Sequence, residues 1–214
     1  MEPPFLKELG VMRHFLSIIF FGILLQTTLG QTREQYQNKG AWAVLAGSQV
    51  EILGKTSLSD FRCAAPLRLP GKAFEWQESQ SYNVRNVLLP IYIRSLNCGN
   101  RLFNEVMYGA LRAKKFPNIV IEVREVVIPL IPVSNEMSVR FYATVQLNGY
   151  TKAYWISAKT SRRSSNTFRV IGKQALKMTD FGVQPPIAVG GVVRTMNDIV
   201  IGFDILLSMQ SNPN

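Results

Sequence analysis

This 214-residue sequence predicts an all-β fold: an eight-stranded antiparallel barrel carrying one inserted amphipathic helix. Three observations lead there. Segment after segment alternates apolar and polar residues with the period of two that a half-buried strand shows. Short stretches rich in Gly, Pro and Asn separate these segments. One stretch alone, 95–119, drops the alternation for helical spacing.

The leader is set aside first. Phe15 to Leu25 is almost purely apolar, Arg13 and His14 precede it, and Thr27-Thr28-Leu29-Gly30 follows. Basic start, short apolar core and small-residue end are the layout of a secretory signal peptide. Residues 1–30 are therefore read as removed on export, with an uncleaved anchor as the other reading. The core falls short of the about 20 residues a membrane-spanning helix needs. Met12-Arg13-His14 makes a better start than Met1, which leaves 1–11 as excess. Residues 31–47 read as a polar lead-in anchored by Trp42 and Val44, 48–208 as the barrel, and 209–214 as a polar tail.

Within the barrel, 48–56 alternates with Val50 and Ile52 on one face, and 57–64 sets Phe61 and Cys63 against Asp60 and Arg62. Pro66, Pro70 and Gly71 then break the pattern, and the chain to Ser81 reads as a loop. Residues 82–95 form a long strand with Val87, Leu89, Ile91 and Ile93 in one row. Pro90 cannot donate to a ladder, so the strand is bulged there or lies beside a gap in pairing.

The helix follows, with Asn100 as N-cap. Leu102, Val106, Met107, Ala110 and Leu111 fall on one face. Gly109 inside it costs about 1 kcal/mol against Ala and is read as allowing close packing on the sheet. Pro117 ends the segment by pushing Phe116 towards extended geometry.

Residues 118–127 return as a strand, and Pro129 and Pro132 mark a bend. The cleanest alternation is 137–147, with Met137, Val139, Phe141, Ala143, Val145 and Leu147 on one face. Asn148-Gly149 is a two-residue type I′ hairpin turn leading to 150–160, which carries Ile156. Residues 166–177 place Phe168, Val170 and Leu176 in a row that Gly172 interrupts, read as a bend or bulge. A loop from Thr179 through Pro186 and a short strand at 189–193 precede the last strand, 199–208, with Phe203 and Ile205 inward. Strands with one apolar face and short turns make an antiparallel barrel or sandwich. The length of the apolar rows favours the barrel, whose interior is filled by side chains or holds one ligand.

Composition narrows the chemistry. The only histidine, His14, lies in the leader. The exported chain then lacks the histidine that Ser-His-Asp and Cys-His catalysis, HExxH zinc sites and His-ligated haem require. Cys63 and Cys98 are too few for a four-ligand zinc site of the usual kind. An even count in an exported chain reads as a disulfide, which stabilises by roughly 4 kcal/mol in the chain-entropy model; two separate buried thiols are the other reading. Asp60, Asp180, Asp198 and Asp204 are weighed as paired carboxylates for acid–base work, and turns or outward faces account for them better. No catalytic or metal residue is expected. The net charge of +10 suits anionic surfaces or is spread as solubility charge. Arg112, Lys114 and Lys115 and the Arg162-Arg163 pair lack the interleaved aromatics of a nucleic-acid groove.

The residues also resemble a family. VRFYATVQLNGYTK (139–152), the long strand ending Ile93-Arg94-Ser95-Leu96, then Gly99-Asn100, the helix and Phe116-Pro117-Asn118-Ile119, and finally Thr179-Asp180-Phe181-Gly182-Val183, follow in order. The set, from Trp42 to Ser208, is similar to the YceI-like domain: polyisoprenoid-binding, lipocalin-like exported bacterial proteins. The family's Arg-Asp pair at the helix start is replaced here by Gly99-Asn100-Arg101.

The resemblance implies an elongated apolar pore with the helix at its mouth, no shared catalytic residues, and a periplasmic or secreted protein. No cofactor is required; the implied occupant is a polyisoprenoid, an isoprenoid quinone or a fatty-acid-like lipid. The expected pore lining is Phe61, Val87, Leu89, Ile91, Ile93, Leu102, Val106, Val139, Phe141, Ala143, Val145, Ile156, Phe168, Val170, Phe203 and Ile205. Arg101 or Lys152 is the expected contact to an anionic head group. An anionic membrane surface or envelope proteins are further candidate partners, nucleic acid is not, and the oligomeric state is open with a homodimer as one candidate. The competing reading is an envelope interaction module whose barrel is plugged by Phe61, Phe141, Phe168 and Phe203.

Overall fold

A computed structural model describes residues 38–78, 82–128 and 136–211. The leader reading, 1–30, lies outside them. The strands are β1 (Asn38–Thr56), β2 (Asp60–Glu78), β3 (Tyr82–Tyr92), β4 (Asn118–Val127), β5 (Glu136–Leu147), β6 (Tyr150–Arg162), β7 (Thr167–Lys177), a two-residue β8 (Ile187–Ala188) and β9 (Val193–Ser211). The helix α1 spans Arg101–Ala110. The order β1-β2-β3-β4-β5-β6-β7-β9 is closed by a β1–β9 pairing, and every ladder is antiparallel. Eight long strands thus form a closed barrel, with β8 paired only to the start of β9.

Several elements depart from the sequence reading. From Asn38 onward the lead-in is the first half of β1, in register with β2 and β9. Its alternation is hidden by bulges on either side of Val44. Buried Ser48 sits at the second bulge, donating to Leu45 O (2.8 Å) and accepting from Leu206 N (2.8 Å). The stretch expected as a loop after Pro66 is strand as far as Glu78. The prolines are tolerated because β2 pairs with β3 only through Glu75–Glu78. The rest of that edge has no ladder partner, so a missing N–H there leaves nothing unmet. Pro90 lies across the same gap, in register with Val120 on its other side. The bulge of β3 is at Asn86, where φ is 65°.

Gly172 makes neither bend nor bulge. It pairs in register with Phe203, and the ring of Phe203 occupies the place a Cβ would take. Gly109 is exposed, with open space where a Cβ would be, so it provides no close packing. The expected strand at 189–193 falls two residues earlier, and 189–191 is a helical turn. Asn148 and Gly149 both have positive φ, 54° and 83°, as the type I′ turn demands.

The β2–β3 gap is bridged by the chain between β3 and α1. Ala64 and Asn97 exchange backbone hydrogen bonds of 2.9 and 2.8 Å, and the adjacent Cys63 and Cys98 form a disulfide. Asn100 caps the helix, its Oδ1 accepting from Leu102 N (2.8 Å) and Phe103 N (3.3 Å). Tyr108 donates its hydroxyl to Leu96 O at 2.6 Å. These ties hold α1 across one end of the barrel.

Candidate functional site

The inward rows of the strands enclose a cavity of about 630 Å³. It runs beside β5 from Leu147 to Met137, a span of roughly 25 Å once strand rise and tilt are counted. Its wall is almost wholly aliphatic and aromatic. Pockets for drug-sized ligands occupy ≈ 300–1,000 Å³, and this one lies within that range.

The two ends differ. At one end lie Leu96, Met107, Leu111, Ile119, Phe181 and Val183, none more than 8% exposed. Here α1 and the turn Met178–Phe181 close the barrel. Asn148 Nδ2 holds that turn through Phe181 O at 3.1 Å. The lining at the other end is half-buried or exposed: Tyr82, Val84, Ile128, Met137, Ser165, Phe168 and Met209. The helix is therefore the floor of the cavity, which corrects its expected place at the mouth. Among the described residues the open rim is the end bearing the β6–β7 turn.

Of the expected lining, Val87, Leu89, Ile91, Val139, Phe141, Ala143, Val145, Ile156, Phe168, Val170, Phe203 and Ile205 border the cavity. Four do not. Phe61 packs edge-on against Phe103 (centroids 5.3 Å apart) and over Gly54. Ile93 is fully buried in a helical turn past the end of β3. Leu102 is 78% exposed, and Val106 is only half-buried. Of the apolar face expected for the helix, Met107 and Leu111 are buried and border the cavity, and Tyr108, outside that set, is buried beside them. The expected and the buried rows share Met107 and Leu111 and differ by a small rotation of the helix, which turns Leu102 to solvent and Phe103 and Tyr108 inward.

The head-group candidates also move. Arg101 is exposed at the start of α1, at the floor end. Lys152 belongs to the inward row of β6, opposite Val145. β6 joins β7 only from Ala158 onward, so at Lys152 the strands have separated and the side chain is exposed.

Trp42, Val50, Ile52, Leu67, Phe74, Leu176, Ile199 and Ile201 also border the cavity, though none was in the expected lining. Their alternation was visible in the sequence except at Trp42, Leu67 and Phe74, which sit on either side of bulges or in the presumed loop.

Carboxylates stay outside this wall. Asp204 faces outward and binds Arg169, whose Nε lies 2.8 Å from Oδ1. That hydrogen bond and charge hold its carboxyl below the usual range. Asp60, Asp180 and Asp198 are exposed. Tyr154 has its phenol pushed up by burial and by the nearby Asp180. Among the described residues no three His, Cys, Asp or Glu side chains gather as a metal site would need.

No family model and no curated protein matches the sequence. Solved structures do match in fold. A polyisoprenoid-binding domain from Saccharophagus degradans implicated in plant cell wall breakdown superposes with a TM-score of 0.55 at 12% identity, over 78% of this chain and 97% of that one. BcnA from Burkholderia cenocepacia gives a TM-score of 0.54 at 16% identity, over 75% and 96%. A Campylobacter jejuni YceI protein is matched more loosely, with a TM-score of 0.43 at 14% identity over 66% and 82%. The chain has the YceI-like fold, a closed eight-stranded barrel of lipocalin-like type.

Proposed function

We propose that this protein is an exported member of the YceI-like group that holds a long-chain amphiphile, a polyisoprenoid, an isoprenoid quinone or a fatty-acid-like lipid, as a periplasmic binder or carrier. The observation that carries the reading is the continuous apolar cavity of about 630 Å³, closed at α1 and, among the described residues, open at the opposite rim. An apolar chain entering it exchanges water for aliphatic wall, at about 25 cal/mol for each Å² of apolar surface buried. Two structural neighbours support this: one is a polyisoprenoid-binding domain, and both share the architecture at low identity. The leader-like apolar run and the Cys63–Cys98 disulfide agree with export to an oxidising compartment. A plugged barrel is disfavoured, because Phe141, Phe168 and Phe203 border open space and Phe61 is engaged elsewhere.

The test is organic extraction of the protein purified from its native host, followed by mass spectrometry. A stoichiometric long-chain lipid is expected. An extract free of lipid, together with no binding of isoprenoid, quinone or fatty-acid probes, refutes the proposal.

A further inference from the structure

The wall changes character along its length. On β6 the inward row reads Ile156, Ala158, Thr160, Arg162, from apolar through hydroxyl to guanidinium as it reaches the open rim. Arg162 lies opposite Phe168, which borders the cavity, and its guanidinium sits 5.5 Å from that ring. Ser165 borders the cavity in the turn just beyond. On the far side of the rim Lys72 pairs in register with Trp42, and residues opposed in a ladder share a face. The indole N–H of Trp42 is buried and has no acceptor, in a residue that borders the cavity. A buried donor left unmet costs about 1–3 kcal/mol.

The signs of the charges complete the pattern. Among the described side chains, the charged members of the inward rows are Lys72, Arg162 and, at the floor end, Lys152. Glu75, Glu125 and Glu136 near the same rim lie on outward rows. Neither Lys72 nor Arg162 has a salt-bridge partner among the described residues.

We infer that the open rim is an anionic head-group site. Arg162 and Lys72 meet the charged oxygens of a carboxylate or phosphate, and Thr160, Ser165 and the Trp42 indole add donors to oxygens just inside. This rests on the proposed binding of an apolar chain and names the class of amphiphile: one with an acidic head at the rim and its tail directed to Met107 and Leu111.

The experiment compares amphiphiles of equal chain and different head on the purified, delipidated protein, read by the change in tryptophan emission. Oleate is expected to bind about tenfold more tightly than oleyl alcohol, the size of one charge-assisted hydrogen bond. In the Lys72→Gln/Arg162→Gln double variant the ratio falls to about one; in Lys159→Gln, a cation on the outward row of the same strand, the tenfold ratio persists. Farnesyl phosphate against farnesol repeats the comparison, and the pair with the larger ratio distinguishes phosphate from carboxylate. Equal affinity for acid and alcohol in both pairs, or a ratio that survives the double substitution, overturns the head-group site while leaving chain binding intact. Failure of all four probes refutes the chain-binding reading and this inference with it.

Discussion

Gly172 shows how one residue sets the shape of the interior. A glycine in a strand weakens it unless something uses the missing side chain. Here the ring of Phe203 lies over Gly172 across the β7–β9 ladder, and Phe61 covers Gly54 across β1–β2 in the same manner. A large ring set against a bare backbone lies flat on the wall, where a standing ring would cross the cavity. Gly172→Ala places a methyl where the ring is, and overpacking of this kind destabilises by about 1–3 kcal/mol. Thermal unfolding should show that loss, and adding Phe203→Leu should recover most of it. From sequence alone the glycine read as a break, since the residue that fills its place is thirty-one positions away.

At the scale of elements, α1 is placed by its buried face together with polar and covalent ties at and before its start. Arg101 and Leu102 at its start are exposed, and only Met107 and Tyr108 of the helix are fully buried. The Asn100 cap, the Tyr108 hydroxyl on Leu96 O and the Cys63–Cys98 bond hold it over the β2–β3 gap. The disulfide closes a sequence separation of 35 residues, worth about 2–4 kcal/mol by constraint of the unfolded chain. Cys63→Ser/Cys98→Ser should lower the unfolding free energy in urea by that amount. It should also raise hydrogen exchange in 97–111 before the strands, because the floor loses its tether while the barrel ladders remain. The helix and its Asn100 cap were legible in the sequence; its end was not, since α1 stops at Ala110 and Arg112, at a φ of 52°, turns the chain before Pro117 is reached. Its buried face was legible in part: Met107 and Leu111 belong to the expected row and are buried, while Leu102 turns out to solvent and Tyr108 is buried in addition.

For the molecule as a whole, the consequential features are closure and the direction of opening. The ladders close the barrel, yet two neighbouring pairs separate over part of their length: β2 from β3 and β6 from β7. Both separations lie toward the floor, where α1 with its leading segment and the Met178–Phe181 turn fill them. Among the described residues the opposite end keeps an apolar bore. If that bore is the functional volume, filling it must abolish binding without loss of fold. Ala143 is 1% exposed and borders the cavity midway along β5. Ala143→Trp should reduce affinity for an isoprenoid or fatty-acid probe at least about tenfold, with the fold retained and an overpacking loss of about 1–3 kcal/mol read by thermal unfolding.

The sequence by itself determined the class: an antiparallel barrel, the existence and cap of its helix, the type I′ hairpin, the rows of β4, β5, β7 and β9, and the absence of histidine after His14. These depend on period-two alternation and local turn chemistry, which neighbouring residues dictate. Only the tertiary structure decided that β1 and β2 run on through bulges and prolines, that α1 is a floor, that Leu102 faces solvent while Tyr108 is buried, and that the cations at the rim are Lys72 and Arg162. Each of those depends on which strand lies alongside and where a ladder stops, and register between residues far apart in the chain is not written in local periodicity.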